Sequence, residues 1–219
     1  MKPPVFSRLA IVASSLFAFA TSAYAGPPLI CHPLEIGQAK SLPWVDWTQK
    51  TSGNYELKNL TRDTLAILDS NAPVLVRMET LRRATIYARR DRQVAKELLM
   101  RLQMRAAGHS QALARFDLGY LAETYKQWIG KDEPNPATGL DGYSLIKQAL
   151  ALRGQDPEME FAAALVTLVG PEKDHRDHAR KAMEGSKDDP LLAQNLASNF
   201  HQQTVSQLLT TAPTSESNR

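Results

Sequence analysis

From about Lys58 onward the apolar residues recur at helical spacing, and prolines and glycines cut the pattern into helix-length pieces. The spacing predicts helices near 58–69, 73–90, 92–107, 111–129, 140–153, 157–169, 171–185 and 190–208. Pro73, Pro157, Pro171 and Pro190 suit first-turn positions, where a missing N–H costs nothing. Gly108, Gly130, Gly154 and Gly185 suit the left-handed residue that ends a helix. Little of the chain is left for strands, so the expected class is all-α. Residues 210–219 read as a flexible tail.

One helix-start grammar is written four times, in "YARRDRQVAKELL", "RAAGHSQALARFDLG", "ALRGQDPEMEFAAAL" and "MEGSKDDPLLAQNLA". Asp91, Ser110, Asp156 and Asp189 stand as N-caps, with Val94, Leu113, Met159 and Leu192 three residues on. The caps are irregularly spaced, but the last interval, from Asp156 to Asp189, is close to the roughly 34 residues of a tetratricopeptide unit. The stretches "RAAGHSQALARFDLGYLAETY" and "KAMEGSKDDPLLAQNLASNF" resemble tetratricopeptide and Sel1-like repeats. Ala106, Gly108, Leu118, Gly119 and Ala182 stand where such repeats place small and leucine residues. The resemblance spans about residues 75–208 and implies a helical solenoid that binds proteins or peptides. The chain also looks like uncharacterised exported bacterial proteins that begin with a similar "GPPLICHP" segment, a likeness that carries no function.

Amphipathic helices joined by short turns pack antiparallel to their neighbours. Helical hairpins stacked as a tetratricopeptide-like solenoid, or gathered into a compact bundle, both satisfy that rule. The loop "GKDEPNPATG" at 130–139 parts the helices into two groups and reads as an insertion. The helical-repeat domain is expected over 58–209. Ahead of it, residues 26–57 hold Pro27, Pro28, Pro33, Pro43, Gly37 and Gly53, too much punctuation for long regular elements. This is an extended N-terminal arm. Its Leu29, Ile30, Leu34, Ile36, Trp44, Val45 and Trp47 call for docking on the helices.

Residues 1–25 read as a signal peptide: Lys2 and Arg8 precede an apolar run from Leu9 to Ala20, and Ala23-Tyr24-Ala25 supplies the small-x-small cleavage pattern. The run is shorter than the roughly 20 residues a spanning helix needs. The expectation is a periplasmic or secreted chain that begins at Gly26 and has no transmembrane helix. With Lys2 and Arg8 removed from 26 basic and 23 acidic side chains, that chain is nearly neutral.

The single cysteine, Cys31, excludes an internal disulfide. A c-type haem attachment needs C-x-x-C-H, and Pro28 occupies its first position. Zinc needs three or four ligands, which Cys31 and His32 do not supply. The plain reading of Cys31 is a small side chain packed beneath the arm, with an intermolecular disulfide as the next. In "DHRDHAR", His175 and His178 share one helical face near Asp174. Two histidines and a carboxylate can hold a divalent ion, but Lys173, Arg176 and Arg180 point to a solvated charged helix. The aromatic residues Phe116, Tyr120, Tyr125, Trp128, Tyr143 and Phe161 read as core. Asn59-Leu60-Thr61 matches the glycosylation sequon, a short pattern common by chance.

The strongest charge feature runs from Arg77 to Arg105, where nine cations face Glu79, Asp91 and Glu97 alone. Arg77, Arg82, Arg83, Arg89, Arg90 and Arg92 are therefore the candidate partner-binding residues, with Arg82, Arg89 and Arg92 expected to be exposed. An exported chain without an aromatic platform makes nucleic acid a poor partner. An acidic protein or peptide, an anionic envelope component, or pairing inside the chain fit better. No nucleophile elbow, phosphate loop or carboxylate pair is present, so no enzyme activity, cofactor or metal is expected. The sequence thus reads as an exported interaction module. The competing reading is a small-molecule, haem or metal binder built on Cys31 and His32 or on residues 174–178.

Overall fold

The computed structural model describes residues 27–46, 48–50, 53–107, 111–127, 135–169 and 171–200. The expected signal peptide, the tail, and the positions of Trp47, Gly108, Ser110, Trp128 and Gly130 lie outside them. The described residues form helices and no strand. They are α1 (Pro28–Cys31), α2 (Leu60–Asp69), α3 (Val74–Ala88), α4 (Arg92–Ala106), α5 (Ala112–Lys126), α6 (Gly142–Arg153), α7 (Pro157–Val166), α8 (Glu172–Gly185) and α9 (Pro190–Asn199). Short 3₁₀ turns precede α2 and α9. No helix among the described residues is long and apolar enough to cross a membrane.

The helix starts follow their caps. Asp91, Asp156 and Asp189 accept first-turn amides of α4, α7 and α9, and Asp141 does the same for α6 through Ser144 N. Pro157 and Pro190 occupy first-turn positions, whereas Pro73 and Pro171 stand one residue earlier. Pro73 offers no side-chain acceptor, and Glu158 of α7 supplies one across the core by accepting Leu75 N at 3.1 Å. Gly154 ends α6 with φ +82°. Gly185 is a correction: its φ is −82°, so it is not a left-handed cap. It is small because α8 presses on α7 there, where a Cβ would meet Pro157 Cγ at 2.1 Å.

Helices α5 and α6 form one tight hairpin and α7 and α8 another. The first closes on two glycines: a Cβ on Gly119 would meet Gly142 O at 2.6 Å, and one on Gly142 would meet Gly119 O at 2.4 Å. Helix α3 lies at the centre and packs against α2, α4, α5 and α7. Every residue of α3 except Arg83 is buried. Phe116, Tyr120, Tyr125 and Phe161 are buried in the core and Tyr143 lies at its edge.

The segment before α2 is docked through Leu29, Ile30, Leu34, Leu42 and Val45, all nearly inaccessible, while Trp44 remains 43 % exposed. Around Cys31 it is not extended but forms the single turn α1.

Candidate functional site

A helix buried on all sides has nowhere to send a charge except into the protein, which decides the fate of the arginine-rich stretch. Arg77 and Arg82 are almost wholly buried, so the expected exposure of Arg82 is corrected. The Glu79 carboxylate, itself inaccessible, accepts from Arg82 Nε at 2.7 Å, Arg83 Nε at 2.7 Å and Leu34 N at 3.0 Å. Arg82 then donates to Ile30 O and Val45 O, and Arg83 donates to Leu42 O. These contacts fasten the arm to α3.

Arg77 serves a second hub. It donates to Asp117 Oδ2 at 2.7 Å and to the carbonyls of Leu68, Ser70 and Ala72 at the turn after α2. Arg105 joins it on Asp117 and also meets Asp69. Burial pushes the Asp117 carboxyl up to about 6 against the pull of Arg77 and Arg105. Arg90 is exposed, lies over the Tyr87 ring and donates to Gln49 O, while Arg89 and Arg92 are half-buried. Of the six arginines, three are thus part of the internal framework.

Besides Arg90, the exposed cations of this stretch are Lys96 and Arg101 of α4, with exposed Glu97 beside them. Lys96, Met100 and Met104 follow one another at i, i+4 and i+8, beside Arg101, and all four are exposed. Met100 and Met104 are about half accessible, at 49 % and 56 %.

The histidines of α8 are also corrected from a solvated face. His175, His178, Ala179 and Ala182 are buried, an i, i+3, i+4, i+7 stripe turned toward α7. His175 Nδ1 meets Ala164 O at 2.9 Å, and its ring packs edge-on to Phe200. Burial, with the nearby His178, holds its pKa below the ordinary histidine range although the Ala164 carbonyl opposes this. His178 points elsewhere: its Nδ1 bonds Glu160 Oε2, and its Nε2 lies 2.8 Å from Tyr143 Oη. Tyr143 Oη also reaches Asp174 Oδ2 at 3.2 Å, and Lys181 Nζ meets Glu160 Oε1 at 3.1 Å. Burial raises the Glu160 carboxyl, but the bonds from His178 and Lys181 outweigh it and keep the group below the usual range. Glu160 thus faces His178 through Oε2 and Lys181 through Oε1.

Glu160 and Lys181 belong to the wall of a cavity of about 700 Å³ formed by α6, α7 and α8. Among the described residues no three metal-ligating side chains converge, and His175 and His178 each serve other partners. Cys31 is partly buried, and burial raises its thiol pKa against the opposing charges of Arg82 and Arg89.

Asp117, Glu160 and Lys181 escaped the sequence reading, in which Glu79 figured only as an acid among nine cations and Tyr143 only as core. Their signal was available only as anomaly: Glu79 and Glu160 are acids inside the apolar stretches "VLVRMETL" and "MEFAAALV". No family model, curated protein or solved structure matches this chain.

Proposed function

We propose that this protein is an exported helical-hairpin interaction module, of the tetratricopeptide kind, that holds an acidic segment of a protein partner against the outer face of α4. The observation that carries the reading is the pair Met100 and Met104, exposed one turn apart beside Lys96 and Arg101. Methionine adapts its shape to a partner's apolar side chains, and the flanking cations favour a partner rich in Asp and Glu. Arg105 of the same helix anchors it to Asp69 of α2 and Asp117 of α5.

A photo-crosslinking residue at Met104, with the same residue at exposed Lys187 as reference, tests it in the native compartment. A discrete protein adduct at Met104 alone is expected. It should weaken when Lys96→Glu and Arg101→Glu are combined, and weaken again at ionic strength well above the physiological level, where the Debye length is about 8 Å. Equal labelling at both positions, or indifference to charge reversal, refutes the reading.

A further inference from the structure

We propose that the cavity between α6, α7 and α8 binds a small organic cation, a primary amine carried on a short apolar body, with Glu160 as the residue that receives the ammonium group. This site is separate from the α4 face and does not depend on it.

The cavity, about 700 Å³, falls within the roughly 300–1,000 Å³ of small-molecule sites. Part of its lining is apolar, from Leu150, Ala151 and Pro157, and its charged lining has three carboxylates against two cations. Glu160 and Asp156 are equally buried, each side chain 10 % exposed against 57 % for Glu184, but Asp156 is engaged by Arg153 and by the α7 amide of Met159. His178 holds Glu160 Oε2 from behind, and Tyr143 holds His178. The other oxygen, Oε1, is thereby left facing Lys181.

The Lys181 ammonium already occupies the position assigned to the ligand. Its side chain is 49 % exposed on a flexible stem, so it can leave for water when another ammonium arrives. That exchange keeps Glu160 paired throughout. An anionic ligand that drew Lys181 away would leave a buried carboxylate with one charge partner fewer, which is strongly unfavourable. The lining thus selects for positive charge even though both signs are present. The apolar body of the ligand then lies along Leu150, Ala151 and Pro157, whose burial supplies the remaining affinity.

Titration calorimetry on the full chain with benzylamine, benzoate and benzyl alcohol as probes decides the matter at neutral pH and low salt. Benzylamine should bind, and the other two should bind at least about tenfold more weakly. Lys181→Ala removes the internal competitor and should tighten benzylamine binding several-fold, whereas Glu160→Gln should abolish it. Should Glu160→Gln not fold, the Lys181→Ala result still decides. No heat with benzylamine, benzoate binding as well as the amine, or no tightening in Lys181→Ala overturns the proposal. Lys96→Glu with Arg101→Glu should leave benzylamine binding unchanged, which separates this site from the α4 face.

Discussion

Asp117 shows how burial and ion pairing compete at one residue. Two guanidinium groups reach it, yet loss of solvent dominates and its carboxyl is pushed up to about 6 from the ordinary aspartate value of 3.8. The folded state therefore binds a proton that the unfolded chain has released between those two values. A group whose pKa rises on folding stabilises the fold below its unfolded pKa, and that contribution is lost as pH rises through about 6. A tenfold change in proton affinity corresponds to about 1.4 kcal/mol, so the effect is of the order of 1–3 kcal/mol. Asp117→Asn keeps the shape and removes the titration. Urea unfolding of both proteins between pH 4 and pH 7 should show the parent losing stability relative to the variant as pH rises. The opposite slope would mean that Arg77 and Arg105 outweigh desolvation. His175 works against this trend, since its lowered pKa costs stability as pH falls below the ordinary histidine range; comparison with the variant cancels it.

At the scale of elements, the arm and α3 form one unit because Glu79 collects Arg82, Arg83 and the Leu34 amide at a single carboxylate. Glu79→Gln leaves two guanidinium groups facing a neutral amide, and breaking a buried ion pair in this way costs about 3–5 kcal/mol. The loss should fall on arm docking before it reaches the helix hairpins. Cys31 reports it directly, being in α1 and partly buried. A maleimide should label Cys31 markedly faster in Glu79→Gln than in the parent, with near-unchanged far-ultraviolet circular dichroism; equal rates would assign arm docking to apolar contacts alone. The helices themselves were legible in the sequence, because caps such as Asp91, Asp156 and Asp189 act within three residues of where they stand. The arm's apolar pattern also announced that it must be covered. What could not be read was direction. Arg82 and Arg101 are the same residue type in neighbouring helices, and only the position of α3 at the centre, set by helices distant in sequence, turns one inward and leaves the other in solvent. The same holds for His178, whose partners Tyr143 and Glu160 lie 35 and 18 residues away.

For the molecule as a whole, the arm touches helices from both ends of the described chain. Leu29 N donates to Gln127 Oε1 after α5, Arg82 of α3 reaches Ile30 O, and Glu35 exchanges two hydrogen bonds with Asn195 of α9. Burying Leu29, Ile30, Leu34, Leu42 and Val45 is worth about 1.5–3 kcal/mol each on transfer. Their sum is comparable to the roughly 5–15 kcal/mol that separates a typical domain from its unfolded chain. Deleting residues 27–50 removes this burial and also leaves Glu79, Arg82 and Asn195 without their arm partners. The expected product keeps much of its helical signal, because the α5–α6 and α7–α8 hairpins are joined locally, but loses the sharp urea transition and binds a hydrophobic dye. A synthetic peptide of residues 27–50 should restore cooperativity in a concentration-dependent manner, as any partner that binds only the folded state does. A deleted chain that unfolds as sharply as the parent, within about 2 kcal/mol on the same extrapolation, would show that the helices close their own core and that the arm merely lies upon it.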